Sequence, residues 1–334
     1  MPLGPALSSD RQAFGLPSII SEQDARWSEW RTRYREIGPE DLRAAGAGPI
    51  EAATWAVPLN YAMKKFEIFN TARQAAFLAN VALETADPDT GRMLSAPIES
   101  SAPYTVRMMR SKTKSFPDDA SIIAVLHDPL NINHPDKVRV VEPKKFFNRF
   151  YGWRSELGNR GRDTNDGYMY RGRGALHLTG RARYVACGIA LGLDLVGNPD
   201  IVANPFYGSL AGAWAWTDVA FLQHGRGAKQ MKNLNLIADL DTAEAFDQTC
   251  AGVNYGDIDG ISPDGNHVHI GGLDKRRHNW QKFRHALHLR DLRLFHTRMA
   301  GVPARANLFD DFKRPTANDD GMRSRFQRAR AVSR

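Results

Sequence analysis

A stretch rich in glycine, arginine and aspartate, residues 158–177, lies between two apolar segments with helical periodicity. Its composition disfavours a regular helix, because glycine weakens helix interiors, and it predicts an ordered loop or short hairpin. The segment before it begins at Asn70, a favoured N-cap residue, and is expected to end near Asp87. The segment after it, 205–225, has a proline near its start and a glycine at its end. The pattern predicts a mainly helical chain around an irregular loop.

Other elements are less distinct. Trp27, Trp30 and Tyr34 recur at helical spacing and are expected to pack on the main domain. The best strand candidate is short, residues 138–142. The segment 273–299 is basic and amphipathic and predicts a helix or helix pair. We find no internal repeat.

The cysteine count limits the class of protein. Cys187 and Cys250 are the only two cysteines among 334 residues, too few for a disulfide scaffold or a four-thiolate zinc site. We expect both to be reduced, buried thiols. With 42% hydrophobic residues the chain can bury a large core, and its length allows one main domain with extensions.

The positive charge is unevenly distributed. Lys and Arg number 45 and Asp and Glu 37, and the tail 313–334 holds seven basic residues against two acidic ones. Such a tail attracts polyanions, including nucleic acid, anionic lipid or an acidic cell-wall polymer; the alternative is a solvated end. No membrane span is expected, because the longest uncharged stretch, 201–217, is too short. No basic and apolar leader is evident at the start, so we expect synthesis in a cytoplasm.

Two carboxylates are candidates for acid/base chemistry. Glu84 ends an apolar helix, where carbonyl dipoles and partial burial are expected to raise its pKa and favour an acid-competent form. Glu99 follows in a turn-rich segment. Glycoside hydrolysis needs such a pair, one carboxyl to donate a proton and one to stay ionised.

The specific signal is an ordered series of motifs around the central stretch. It consists of FYGWRSELGN (150–159), NDG (165–167), YRGRGALHLTGRARY (170–184) and LGLDLVGNPD (191–200). The series resembles the catalytic core of glycoside hydrolase family 19, the plant-type chitinases and related bacteriophage endolysins. The resemblance extends to AAFLANVALET upstream and CAGVNYG downstream, and covers roughly Pro58 to Arg290.

The resemblance implies a fold and a domain division. The fold is mainly α, a lysozyme-like two-lobed helical domain with a central cleft and at most a small β-hairpin. The predicted division is a helical N-terminal extension at 1–57, the catalytic domain at 58–290, and a helix end with the basic tail at 291–334.

The resemblance also implies roles for individual residues. Glu84 falls on the family's general acid, Glu99 on its general base, and Thr179 where a hydroxyl helps hold the attacking water. Residues in substrate-binding positions of the motifs are Tyr170, Arg173, His177, Tyr184 and Asn254. Two positions depart from the family: Leu83 replaces the usual His, and His177 replaces the usual Gln, exchanging an amide for a group whose charge can vary near neutral pH.

The implied activity is inverting hydrolysis of β-1,4 glycosidic bonds, with no cofactor. We expect an endolysin acting on bacterial peptidoglycan strands, made in a host cytoplasm and released to the wall. Alternatives are a chitinase, a virion-associated lysin with virion protein partners, or a non-catalytic binding protein on the same scaffold. No metal site is expected: Asp257, Asp259 and Gly260 match a calcium loop only in part, and His267 and His269 lack a third ligand.

Overall fold

The computed structural model describes residues 34–221, 230–258 and 269–299. Predictions about Trp27, Trp30, Asp259, Gly260, His267 and the tail 313–334 fall outside these residues.

Three helices open the described chain: α1 (Pro39–Ala44), α2 (Pro49–Lys65) and α3 (Thr71–Glu84). The Asn70 side chain accepts a hydrogen bond from the Arg73 amide at 2.9 Å, which confirms the predicted N-cap of α3. Helix α3 ends earlier than expected. The carbonyl of Thr85 accepts from the amides of a later segment, Ser95 and Ala96, so the chain turns away instead of continuing the helix.

The next elements are short: α4 (Val106–Arg110), α5 (Asp119–Ile123), a 3₁₀ turn (Pro129–Asn133) and α6 (Pro143–Tyr151). The strand predicted at 138–142 is wrong. Val141 forms only an isolated bridge with Leu126, and Arg139 has a φ of 61°, which interrupts an extended conformation.

The central stretch is irregular, as predicted. It contains a 3₁₀ turn (Ser155–Leu157), the short helix α7 (Asp166–Met169) and two isolated bridges that pair Arg173 with Ile98 and with Leu178. Helix α8 (Arg181–Leu191) and a 3₁₀ turn (Pro199–Ala203) follow.

Helix α9 (Pro205–Thr217) starts where predicted but ends before 225. The chain continues into strand β1 (Val219–Phe221), which pairs antiparallel with β2 (Gln230–Lys232), with Ala220 opposite Met231. The last helices are α10 (Leu234–Ala238), α11 (Ala243–Tyr255) and α12 (Leu273–Met299). The fold of the described residues is therefore mainly α with one small hairpin, as predicted.

Hydrophobic residues form two main clusters. The larger, which we call the large lobe, joins α1, α2, α3 and α9–α12, with Trp55, Phe77 and Trp216 almost completely buried. The smaller, the small lobe, gathers side chains of α4, α5 and α6 around Phe116 and Phe146. These lobes matter for function because each contributes residues to the site described below.

The domain boundaries stay a prediction. The boundary proposed between residues 57 and 58 lies inside α2, whose Trp55 and Leu59 both pack in the large lobe. Tyr34 also packs against that lobe.

Both thiols are buried, as expected, and burial raises the pKa of Cys187 and of Cys250 to about 12. Among the helices of the described ranges, none combines the length and apolar character needed to cross a membrane.

Candidate active site

Glu84 lies at the C-terminal end of α3 with 17% of its side chain exposed. Arg276 of α12 donates from Nη2 to one carboxylate oxygen of Glu84 at 2.5 Å. The Nδ1 atom of His177 lies 3.6 Å from the other oxygen. The carboxyl group therefore lies between a guanidinium and an imidazole.

Arg276 is held in place by contacts other than the one with Glu84. Its side chain is buried, its Nη1 donates to Asn80 Oδ1 at 2.6 Å, and its Nε donates to the Gly271 carbonyl at 3.1 Å. The exposed Asn254 side chain accepts from the Gly271 amide at 3.1 Å. Asn254, a predicted substrate residue, is thus linked to Glu84 through the backbone of Gly271 and Arg276.

These cations determine the ionisation of Glu84. Burial alone raises the pKa of this carboxyl, but the Arg276 and His177 charges and the Arg276 hydrogen bond outweigh burial and hold the pKa below its usual value. The expectation of a raised pKa is wrong for this conformation, because a buried guanidinium that the sequence does not place there stabilises the carboxylate.

Leu83, the next-to-last residue of α3, packs against the segment that carries Arg276. A Cβ on Gly272 would lie 2.7 Å from Leu83 Cδ2, so the leucine packs directly against the backbone of Gly272. Gly272 has a φ of 65°, a conformation that favours glycine. The residue that replaces the family's His therefore serves packing next to the Arg276 segment.

Glu99 is held by neutral donors. Its Oε1 accepts from the Tyr151 hydroxyl of α6 at 2.8 Å, and its Oε2 accepts from the Gly172 amide at 3.0 Å. The Glu99 amide donates back to the Gly172 carbonyl at 2.9 Å. A Cβ on Gly172 would lie 3.1 Å from Glu99 Oε2 and 2.9 Å from His177 Cβ, so glycine permits this close approach.

The pKa of Glu99 moves in the opposite direction. Burial raises it, and the Glu84 charge adds to the increase, while His177, the Tyr151 hydroxyl and the Gly172 amide only partly offset it. One carboxyl thus favours the ionised form and its neighbour the protonated form. This distribution is the reverse of the one that a Glu84 acid and a Glu99 base need at the start of a turnover.

His177 lies next to both carboxyls. Its backbone has a φ of 44°, a left-handed conformation in which histidine is more common than most residues. Its Nε2 lies 3.3 Å from the Ala96 carbonyl, and its own carbonyl accepts from the Thr179 hydroxyl at 2.7 Å. Thr179 is therefore positioned by the His177 backbone, and its predicted contact with water stays a prediction.

A cavity of about 260 Å³ opens beside Glu99 and His177. Much of its wall is apolar, formed by Ile98, Pro103, Tyr104 and Met108 among others. Polar groups at one end and apolar walls at the other suit a sugar ring with an acyl substituent.

Three predicted substrate residues lie in the interior instead. Tyr170 and Tyr184 are 3% and 0% exposed, with ring centroids 5.3 Å apart. Arg173 is buried and donates to the Met169 carbonyl at 2.6 Å, the Tyr184 hydroxyl at 3.1 Å and Asp200 at 2.6 Å. This conformation leaves these side chains no accessible surface for substrate, and they hold the central loop in place.

Sequence reasoning did not identify Arg276 or Tyr151 as site residues. Arg276 lies in a Lys-Arg-Arg-His run that resembles a solvated basic helix. The missed signal is spacing, because Trp280, Phe283 and Leu287 continue one buried face from position 276. No cluster of three or more His, Cys, Asp or Glu that could hold a metal occurs in the part of the chain that the structure describes.

Comparison with known proteins adds a local match in sequence. The sequence profile of the family described as chitinase class I matches residues 155–223. Chitinase 8 of Oryza sativa subsp. japonica is 54% identical over 48 residues, which is 14% of this chain and 18% of that protein. The chain thus spans less than a fifth of the length of this curated relative.

Solved structures give weaker similarities. A chitinase C mutant has a TM-score of 0.41 at 18% identity, with 77% of this chain and 94% of that chain covered. Chitinase C from Streptomyces griseus HUT6037 has a TM-score of 0.33 at 20% identity, with 80% and 76% covered. These TM-scores and identities are too low to assign a fold or a function to this chain from the superpositions.

Proposed function

We propose that this chain, in which residues 155–223 belong to glycoside hydrolase family 19, hydrolyses β-1,4 bonds of an N-acetylated glycan by inversion. The observation that carries the proposal is the pair Glu84 and Glu99, two partly buried carboxyls that both lie close to His177, with Glu99 and His177 lining the cavity. Glu84 is the proton donor and Glu99 the base that activates water.

Each lobe supplies part of this chemistry. Glu84 and Arg276 belong to helices of the large lobe, whereas Tyr151 of the small lobe holds Glu99. An inverting enzyme needs its carboxyls about 6.5–9.5 Å apart so that water fits beneath the sugar.

We propose bacterial peptidoglycan as the substrate. Between residues 104 and 163 lie twelve Lys and Arg residues against seven Asp and Glu residues. This excess of positive charge, in the segment that also carries Tyr151, favours a glycan that carries carboxylates, as peptidoglycan does, over neutral chitin. An endolysin or a virion-mounted lysin would both use this substrate, and the basic tail would strengthen attachment to an acidic wall polymer.

Chitin is the second candidate substrate. The sequence match to a protein named a chitinase favours it, as does the match of residues 155–223 to a family described as chitinase class I. A non-catalytic binding role is the third candidate and predicts no cleavage of either polymer.

Mass spectrometry of soluble fragments tests the proposal. Purified peptidoglycan and chitin oligomers are incubated in parallel with the full chain and with Glu84→Gln. We expect muropeptide fragments from peptidoglycan with the wild type and almost none with the variant. Release of chitin fragments alone would overturn the substrate assignment, and no cleavage of either polymer would overturn the enzyme assignment.

A further inference from the structure

The ionisation states that the surroundings favour, an ionised Glu84 and a protonated Glu99, are those that an inverting enzyme reaches at the end of a turnover. In each turnover the acid gives a proton to the leaving oxygen and the base takes one from water. The cycle therefore ends with the acid ionised and the base protonated. The surroundings of Glu84 and Glu99 favour this distribution, so a proton must return from Glu99 to Glu84 before the next turnover.

His177 has the geometry for that return. A carbonyl oxygen only accepts hydrogen bonds, so the contact at 3.3 Å with the Ala96 carbonyl assigns the permanent proton of the ring to Nε2. The atom that gains and loses a proton is then Nδ1, which lies 3.6 Å from Glu84 Oε2. That separation exceeds a direct hydrogen bond, and a small approach of the ring or one intervening water closes it.

Glu99 lies close to the same ring. Its Oε2 and the Cγ atom of His177 each lie 3.1 Å from the point that a Cβ on Gly172 would occupy. The charge of His177 acts on both carboxyls, lowering the pKa of each. The imidazole thus interacts with the group that must lose a proton and with the group that must gain it.

Besides His177, the groups that act on this cluster include Arg276, Tyr151, Tyr104 and Arg154, and burial together with the Glu99 charge raises the pKa of Tyr104. Arg276 of α12 faces Glu84 from the side opposite His177, bonded to the other carboxylate oxygen. Tyr151 of α6 donates to Glu99, and burial together with the Glu99 charge raises the pKa of its hydroxyl well above the usual value. Tyr151 therefore keeps its proton, whereas the chemistry of imidazole allows the His177 ring both to accept and to donate one.

We propose that His177 is a positioning and proton-relay residue that returns the proton from Glu99 to Glu84 between turnovers, an inference that rests on the proposed glycoside hydrolysis. The proton on Glu99 passes through a water molecule to Nδ1 of His177 and forms an imidazolium. The imidazolium then gives the same proton to Oε2 of Glu84. The net change is one proton moved from Glu99 to Glu84, and His177 is neutral again.

The role requires an ionisable side chain at this position. Glutamine, the residue that the family resemblance places here, and asparagine have amide groups that do not titrate in this range. Asparagine also tolerates the left-handed backbone of residue 177, so His177→Asn removes the relay with little strain. His177→Gln provides a second neutral variant.

The test separates proton return from bond cleavage. With a defined glycan oligomer, we expect His177→Asn to lower kcat about tenfold and to change kcat/KM by no more than about twofold, because proton return follows bond cleavage. Added imidazole should restore kcat of the variant in a saturable manner and leave the wild type unchanged. The matched control is His278→Gln on the exposed surface of α12, which should keep wild-type kinetics.

Three other results would contradict the proton relay or the proposed hydrolysis. Unchanged kcat in folded His177→Asn and His177→Gln would overturn the relay while leaving the proposed hydrolysis intact. Parallel losses of kcat and kcat/KM without rescue by imidazole would show that His177 only shapes the site. Lack of cleavage by the wild type would overturn the proposed function itself.

Discussion

Glu84 and Glu99 are the same residue type and both lie close to His177, yet their surroundings differ. Glu84 faces cationic groups, the Arg276 guanidinium of α12 and the His177 ring. Glu99 accepts from neutral donors, the Tyr151 hydroxyl and a backbone amide. Burial raises the pKa of both and the His177 charge lowers the pKa of both, so the opposite directions come from Arg276, which lowers the pKa of Glu84, and from the Glu84 charge, which raises the pKa of Glu99. The charge of a buried carboxyl therefore depends on the groups that contact it.

The largest effect should follow from loss of either carboxyl. Glu84→Gln and Glu99→Gln should each lower kcat/KM by a factor of about 10² to 10⁴, because an amide neither donates nor takes a proton at neutral pH. Steady-state kinetics with a glycan oligomer measures the loss. Near-wild-type turnover by either folded variant would remove that carboxyl from the mechanism.

The same two variants test which carboxyl is the acid and which is the base. An aryl glycoside with a good leaving group needs no protonation, so Glu84→Gln should recover most of its activity on such a substrate. Glu99→Gln should instead recover with added azide, which replaces the activated water. The reverse pattern would exchange the roles of Glu84 and Glu99.

Arg276→Met should have the next largest effect. The change leaves Asn80 and Glu84 without their buried partner, and it should cost about 3–5 kcal/mol of unfolding free energy. The pKa of Glu84 should rise, since the cation that lowers it is gone. Denaturant unfolding and carboxyl ¹³C NMR titration measure the two changes. Arg277→Met, at an exposed ion pair with Asp247, should cost at most about 1 kcal/mol; equal costs for the two variants would contradict the buried role.

Tyr151→Phe should have a smaller effect confined to Glu99. Loss of the hydroxyl removes a donor that lowers the pKa of Glu99, so this pKa should rise and the acidic limb of the kcat/KM profile should move to higher pH. We expect a loss of about three- to tenfold at the wild-type optimum, the value of one neutral hydrogen bond. Tyr255→Phe, whose hydroxyl bonds the His269 carbonyl, is the control. An unchanged profile in Tyr151→Phe would separate the tyrosine from the base.

The smallest expected effects are opposite changes in stability with pH. The folded pKa of Glu84 is lowered, so it stabilises the fold at pH 7 and this contribution is lost as the pH falls through that pKa. The folded pKa of Glu99 is raised, so ionising it destabilises the fold as the pH rises through that value. At pH 7, Glu84→Gln should lower the unfolding free energy, because the buried Arg276 guanidinium loses its charged partner, whereas Glu99→Gln should raise it, because a carboxyl that burial disfavours in its ionised form is gone.

Thermal unfolding at pH 7 and at acid pH measures this contrast, with Tm shifts of opposite sign at pH 7 that shrink as both carboxyls become protonated. Shifts of the same sign for both variants would contradict the assigned difference between the two surroundings.

The sequence predicted those parts of the fold that depend on local signals. The N-cap at Asn70 and the start of α9 at Pro205 follow from residue preferences at helix ends. The end of α9 could not be predicted in the same way, because residues 219–221 pair with a partner that comes later in the chain. The strand predicted at 138–142 is wrong for a local reason, because Arg139 adopts a left-handed conformation that interrupts an extended strand.

The candidate site was predictable only in part. Motif resemblance identified Glu84, Glu99 and His177, and the structure brings His177 close to both carboxyls. The charge of Glu84 could not be predicted, because it depends on Arg276, which lies 192 residues away in sequence. Tyr170 and Tyr184 illustrate the converse, since their motif positions suggested substrate contacts and their rings are buried.

In the proposed mechanism, Glu84 and Glu99 act as acid and base on opposite faces of the sugar, without a covalent intermediate. Early-time proton NMR of a defined β-1,4-linked oligosaccharide reports the anomer released first, before mutarotation. We expect the α-anomer, because water activated by Glu99 attacks the face opposite the leaving group. Initial release of the β-anomer would contradict it and would require a nucleophilic carboxylate or participation by the substrate.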